Sequence, residues 1–185
     1  MLFKEKNRRV FYSTKEGITI WYLFPCKEQE EQKTLDSCKK YLSDTVLLDA
    51  FVLTYDRLRR YQGTWHLEKK LIFPANILLE SENEDVLLDE IRRHAGAALQ
   101  GHMILRMGLE EEEFLRFLCG EMRHIGMSRG VIRGGDMQVT EGPLKGMESQ
   151  ICKIDRHKRL AKLRASKRQN IRYIPAGLEI IEKTI

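Results

Sequence analysis

Residues 134–146 read GGDMQVTEGPLKG, and here the periodicity of the chain changes. Met137 and Val139 alternate with Gln138 and Thr140, the two-residue repeat of a strand with one buried face, and Glu141-Gly142-Pro143 then supplies a turn. Two more alternating segments follow. In 160–166 (LAKLRAS), Ala161, Leu163 and Ala165 fall on one face and Lys162 and Arg164 on the other; 170–174 is the next such segment. A C-terminal region of short strands with no helical signal predicts a small, partly closed β-barrel.

Upstream of this region, residues 120–135 are rich in Gly, Met, Ser and Arg (Gly126, Ser128, Arg129, Gly130, Gly134, Gly135) and carry no helical period, which predicts a linker. Further back the pattern mixes strands and helices. Residues 18–24 (ITIWYLF) read as a buried strand that Pro25 stops. Leu35, Cys38 and Leu42 share one face of a helix over 28–42. Segments 50–55, 65–67 and 71–80 read as strands, with 57–63 as a polar loop and Pro74 confined to an edge or a bulge. Asn83 caps a second helix that turns Val86, Leu87 and Ile91 inward. A third spans 109–118, its acids Glu110–Glu113 matching the helix dipole and Phe114, Leu115, Phe117 and Leu118 forming its apolar stripe. The predicted class is α+β: an antiparallel sheet with helices, joined by a linker to a small all-β barrel. The expected divisions are a flexible leader at 1–16, a first domain at 17–121, a linker at 122–130 and a second domain at 131–185.

Composition narrows the function. With 185 residues, 42% of them apolar and 32% charged, the chain can bury a sizeable core. Its apolar runs, such as 46–48 and 77–79, fall far short of the ~20 residues that cross a bilayer. The basic first sixteen residues lack the apolar stretch of a secretory signal. Cys26, Cys38, Cys119 and Cys152 form no C-x-x-C pair, so neither a disulfide framework nor a zinc ribbon is expected, and reduced thiols in a cytoplasm fit best. The five histidines are isolated as well. No P-loop, no G-x-S-x-G, no dinucleotide fingerprint and no catalytic metal set is present, so neither an enzyme nor a cofactor is expected.

The net charge of +5 is unevenly placed. From Leu144 onward there are eleven basic and four acidic residues, a net of +7, which leaves −2 for the rest. That is the footprint of a polyanion-binding module, or more blandly of a solvated basic tail. Two clusters, Arg156-His157-Lys158-Arg159 and Lys167-Arg168, flank the strand that carries Lys162 and Arg164, at a separation of roughly 20 Å. With Lys153 and Arg172 they make up the expected RNA-binding set. Tyr173 is the one aromatic nearby that could stack on a base, which favours duplex or hairpin RNA over a stretched single strand.

WYLF (21–24) followed by a helix, then LIFPANILL (71–79), a linker and GGDMQVTEGPLKG together resemble the NusG family of transcription elongation factors. The likeness spans nearly all of the chain after Gly17. Residues 151–159 (ICKIDRHKR), with GPLKG before and GLEII after, are similar to the LoaP-type antitermination paralogues of that family. The resemblance implies an N-terminal NGN domain that docks on the clamp helices of RNA polymerase and a C-terminal KOW domain that binds an RNA hairpin in operon leaders. Trp21 and Tyr22 match the family's first-strand aromatic pair, with core burial expected of both, and Gly142, Pro143 and Gly146 match its KOW turn. Ile72-Phe73-Pro74 match the hydrophobic part of an F-P-G-Y signature, whereas Ala75 and Asn76 replace the usual Gly and Tyr. The implied polymerase contact is therefore Phe73 with Pro25, Ile72, Pro74 and Asn76 around it. A cytoplasmic monomer acting as a non-enzymatic processivity factor is expected, with no membrane partner. The alternatives are a general NusG whose KOW domain binds ribosomal or termination proteins, and a KOW-type ribosomal-RNA-binding protein.

Overall fold

The computed structural model of the protein describes residues 18–94, 103–165 and 173–184. In chain order the elements are β1 (Ile20–Pro25), α1 (Glu31–Tyr41), β2 (Asp49–Phe51), β3 (Thr54–Tyr61), β4 (Thr64–Leu71), β5 (Asn76–Ser81), α2 (Glu84–His94), β6 (Leu105–Arg106), α3 (Leu109–Cys119), β7 (His124–Ile125), β8 (Ser128–Arg133), β9 (Asp136–Glu141), a 3-10 turn (Glu148–Gln150), β10 (Ile151–Asp155), β11 (Leu160–Arg164) and β12 (Tyr173–Thr184). They form three sheets, ordered β2-β5-β1-β6, β4-β3-β7 and β10-β11-β12-β8-β9. The fold is mixed α+β. No described helix is long and apolar enough to cross a membrane.

The first sheet is covered on both faces, which is why its central strand is apolar at every position from Trp21 to Phe24. Tyr22 and Phe24 point into a cluster with Leu35 and Cys38 of α1 and Leu87 and Ile91 of α2, while Trp21 and Leu23 point into a second cluster with Leu115, Leu118 and Cys119 of α3. Asn83 caps α2 as expected, its Oδ1 accepting from the N–H groups of Asp85 (3.0 Å) and Val86 (3.2 Å). Within the acidic run that opens α3, Glu110 and Glu113 are exposed and Glu111 is half-buried, whereas Glu112 turns fully inward. It is buried, accepts the Trp21 N–H at 3.1 Å and pairs with Arg116 at 2.8 Å, and the same guanidinium reaches Glu80 at 2.8 Å. Burial pushes the Cys38 thiol up to about 11 and the Cys119 thiol up to about 12, so both stay protonated at neutral pH.

Several expectations are corrected. Residues 57–63 are no loop: β3 runs on to Tyr61 and pairs antiparallel with β4 in a long hairpin, closed by Gln62 (φ 49°) and Gly63 (φ 80°) between the paired Tyr61 and Thr64. Two successive positive φ values mark the tight hairpin turn that matches strand twist, and Gln-Gly is a weaker signal for it than Asn-Gly. The predicted linker 122–130 contains β7, which pairs parallel with β3, and the start of β8, a strand of the C-terminal sheet. Its glycines misled because Gly130 serves a close backbone approach: a Cβ there would stand 2.7 Å from the Gln138 carbonyl oxygen. Pro74 lies in the turn between β4 and β5 rather than in a strand. Val86 and Phe117 are exposed, because the neighbouring Leu87 and Leu118 take the inward positions of their helices.

The strand expected over 170–174 is β12 from Tyr173, and it continues through Pro175 to Thr184; residues 170–172 lie outside the described set. Proline is tolerated because β8 pairs only from Leu178 onward, so one side of β12 has no ladder at Pro175. The leader at 1–16 also lies outside the described residues.

Asp49 at the edge of the first sheet ties that sheet to the segment before β7. Its Oδ2 accepts from Arg123 at 2.7 Å, and the Arg123 guanidinium lies 3.6 Å from the centre of the Phe51 ring. Partial burial works to raise the Asp49 carboxyl, but the Arg123 hydrogen bond and charge outweigh it and hold the group below its ordinary range. Because the folded-state value is depressed, the stabilisation is present above about pH 4, where the unfolded carboxyl is ionised, and is lost as pH falls through the folded-state value. Arg123→Ala is expected to lower the melting temperature by a few degrees at pH 7 and by less at pH 3. A loss of equal size at both pH values, measured by circular dichroism, would count against the pair.

Candidate nucleic-acid interface

Cross-strand register decides where the C-terminal cations point. In the antiparallel ladder, Lys153 lies opposite Lys162, Lys162 opposite Pro175, and Arg164 opposite Tyr173. Directly paired residues share a face, so Lys153, Lys162, Arg164, Tyr173 and Pro175 all stand on the outer face. The opposite face carries Ala161, Leu163, Ile174 and Ala176, all buried with Val139 and Leu144. A bulge at Cys152 lets Ile151 and Lys153 keep their separate partners. The edge strands β9 and β10 both line a cavity of about 370 Å³ with Met137, Glu148 and Ile154 on its wall, and Glu148 Oε1 accepts the Val139 N–H at 3.0 Å. Gly142, in the turn after β9, has φ 91°, and a Cβ there would stand 2.5 Å from the Met127 carbonyl oxygen, so both the turn and the packing need glycine.

Asp155 and Glu179 also fall on this face, and Glu179 is taken up by Arg159, which leaves three cations uncompensated among the described residues. Lys153, Lys162 and Arg164 are exposed, and none has an ion-pair partner among the described residues. Directly opposed like charges destabilise a sheet by a few tenths to about 1 kcal/mol, so the Lys153–Lys162 pair stores repulsion that an anion relieves. Lys162 Nζ lies 5.8 Å from the centre of the Tyr173 ring.

At one end of this face is the four-residue turn between β10 and β11. Arg156, His157 and Lys158 are exposed there. Asp155 shapes the turn by accepting the Lys158 N–H at 2.9 Å, and that bond, with the Lys158 and His157 charges, holds its carboxyl below the ordinary range. Arg159 departs from the expected set. It has φ 50°, its Nη1 is 2.7 Å from Glu179 Oε1, and its guanidinium lies 3.7 Å from the centre of the Trp65 ring in β4. A guanidinium engaged on both sides serves packing, not a free phosphate site. Lys167, Arg168 and Arg172 lie outside the described residues.

The expected polymerase-binding residues do not all share a surface. Ile72 and Phe73 are each 6% exposed and belong to the core that also holds Trp21, Phe51 and Leu78. The hydrophobicity that suggested a docking patch is used for burial. What faces solvent at this corner is Pro74, with Pro25 and Asn76 half-buried beside it. The corner is well pinned: Asn76 Nδ2 donates to the Pro74 carbonyl (2.8 Å), the Ala75 N–H donates to Glu31 of α1 (2.9 Å), and the Cys26 N–H donates to the Ala75 carbonyl (2.9 Å). Ala75 sits at φ 56°, a position that suits glycine better.

No known protein family and no curated protein matches the sequence. Among solved structures, one described as "Domain interaction in Thermotoga maritima NusG" is 16% identical, with a TM-score of 0.46 over 88% of this chain and 94% of that one. The likeness is remote, and the chemistry of the site stands on its own geometry. Among the described residues no group of three or more His, Cys, Asp or Glu side chains could hold a metal ion.

Proposed function

We propose that this protein is a non-enzymatic transcription antitermination and processivity factor of the LoaP type. Its C-terminal part (131–185, read as a KOW domain) binds a folded RNA, and its N-terminal part (17–121, read as an NGN domain) binds RNA polymerase. The observation that carries the RNA half is the shared face of Lys153, Lys162 and Arg164, which have no ion-pair partner among the described residues, with Tyr173 at its edge. Duplex nucleic acid carries about one charge per 1.7 Å of axis, and a fixed array of cations suits such a lattice better than it suits a scattered acidic side chain. A lone aromatic gives no stacking platform for a single strand, which favours a stem-loop. The polymerase half rests on the sequence resemblance and on the corner where Pro74 is exposed and Pro25 and Asn76 are half-buried. Joining the two contacts in one chain raises the effective concentration of the second once the first has formed.

Transcription by purified polymerase through a terminator tests this reading. Read-through should rise only when the template encodes a leader stem-loop that the protein retains from a pool of leader RNAs. Co-purification with ribosomes and not with polymerase would favour the ribosomal-RNA reading instead. Pro74→Asp puts a charge on the exposed corner without entering the core, so polymerase pull-down should fall several-fold while stem-loop affinity and melting temperature hold. Full retention of polymerase would remove this corner from the interface.

A further inference from the structure

The outer face of the C-terminal sheet is not open along its whole length. A Cβ added to Gly177 of β12 would lie 2.5 Å from the Asp56 carbonyl oxygen of β3 and would collide with the Met127 thioether. Glycine at 177 therefore lets the β3–β4 hairpin rest its backbone on the sheet. Gly177 lies opposite Leu160, two residues before Lys162 on the same face. The hairpin thus stands at the Gly177 end of the face on which Lys153, Lys162 and Arg164 lie exposed, and forms a wall beside that basic floor.

Register also tells which residues the wall presents. Arg60 pairs with Trp65, Leu58 with Leu67 and Asp56 with Lys69, so all six share one hairpin face. It is the face turned to the C-terminal sheet, because Trp65 holds the Arg159 guanidinium at 3.7 Å. Arg60 and Lys69 are exposed there and have no ion-pair partner among the described residues. The nearest acid in the register, Asp56, is engaged with His124 Nε2 at 3.1 Å. Residues 54–71 carry five Lys and Arg against two acids, within a first domain that is otherwise acidic.

We infer that the β3–β4 hairpin is the second wall of the RNA groove. Arg60 and Lys69 contact phosphates of the same stem-loop that lies on Lys153, Lys162 and Arg164, and Trp65 acts as a positioning residue that fixes the Arg156–Arg159 turn against the wall through Arg159. The inference rests on the RNA-binding reading above and extends it from one part of the chain to both. Cations on a floor and on an adjoining wall suit a thick, folded polyanion that presents phosphates on more than one side.

The test uses the full chain, a fluorescently labelled RNA stem-loop taken from leader-pool selection, and anisotropy titrations over a range of salt. Three sets of variants are compared: the wall (Arg60→Ala with Lys69→Ala), the floor (Lys153→Ala, Lys162→Ala and Arg164→Ala together), and the positioning residue (Trp65→Ala, with Trp65→Phe as the conservative replacement). Both wall residues are exposed, so the wall variant should fold. The expected result is weaker binding of the stem-loop by the wall variant, with the slope of log affinity against log salt reduced by about 2. Trp65→Ala should weaken binding with the salt slope unchanged, and Trp65→Phe should restore it, because an aromatic face is what the guanidinium needs. A wall variant that binds as tightly and with the same slope as the parent, while the floor variant is impaired, overturns the groove and leaves RNA binding by the C-terminal sheet intact. If neither floor nor wall matters, the RNA-binding reading itself falls.

Discussion

Phe73→Asp is expected to unfold the protein and not merely to strip it of a partner. The ring is 6% exposed within the cluster that includes Trp21, Phe51 and Leu78. Truncating a buried aromatic costs about 3–5 kcal/mol, and a carboxylate left unpaired in its place adds a desolvation penalty of several more. Domains of this size have only about 5–15 kcal/mol of total stability, so the variant should be largely unfolded or should melt far below the parent. Denaturant unfolding followed by circular dichroism measures this directly. A Phe73→Asp protein with an unchanged midpoint would mean that the ring is available to a partner, as its sequence motif implied. Pro74→Asp, one position along and exposed, is the informative variant for docking because it separates surface chemistry from core collapse.

The second large effect is on the basic floor. Replacing Lys153, Lys162 and Arg164 together by Ala should lower stem-loop affinity by orders of magnitude at low salt and reduce the salt slope by about 2.7, near 0.9 for each phosphate that is no longer neutralised. Stability should hold or rise slightly, because the opposed Lys153–Lys162 pair is removed and no carboxylate pairs with these cations among the described residues. This combination distinguishes a binding face from structural charges, whose removal lowers stability and leaves RNA affinity alone. An unchanged slope would show that the cations do not touch the phosphates.

The parts of the fold legible in the sequence were those with a strong local period. The apolar run at Trp21–Phe24 announced a strand buried on both faces, and Asn83 announced a helix cap, because each depends on neighbours within a few residues. Lys162 and Arg164 opposite Ala161 and Leu163 announced a half-buried strand and its basic face. The polar stretch 57–63 failed this reading, since a hairpin arm with two partly exposed faces shows no alternation and is held by its backbone ladder. The Gly-rich segment 120–135 failed it for another reason: Gly130 and Gly134 look alike in sequence, yet one lies under a neighbouring strand and the other in a turn.

What the sequence determined by itself is the mixed class of the fold, the excess of positive charge after Leu144 and the side of β11 on which Lys162 and Arg164 stand. These follow from composition and from a two-residue repeat. Only the tertiary structure decided that Phe73 turns inward, that Arg159 is spent on Glu179 and Trp65, and that Gly177 seats the β3–β4 hairpin beside the basic face. Each of these joins residues far apart in the chain. Side-chain burial and ion pairing are set by what lies opposite in space, and no local pattern encodes that neighbour.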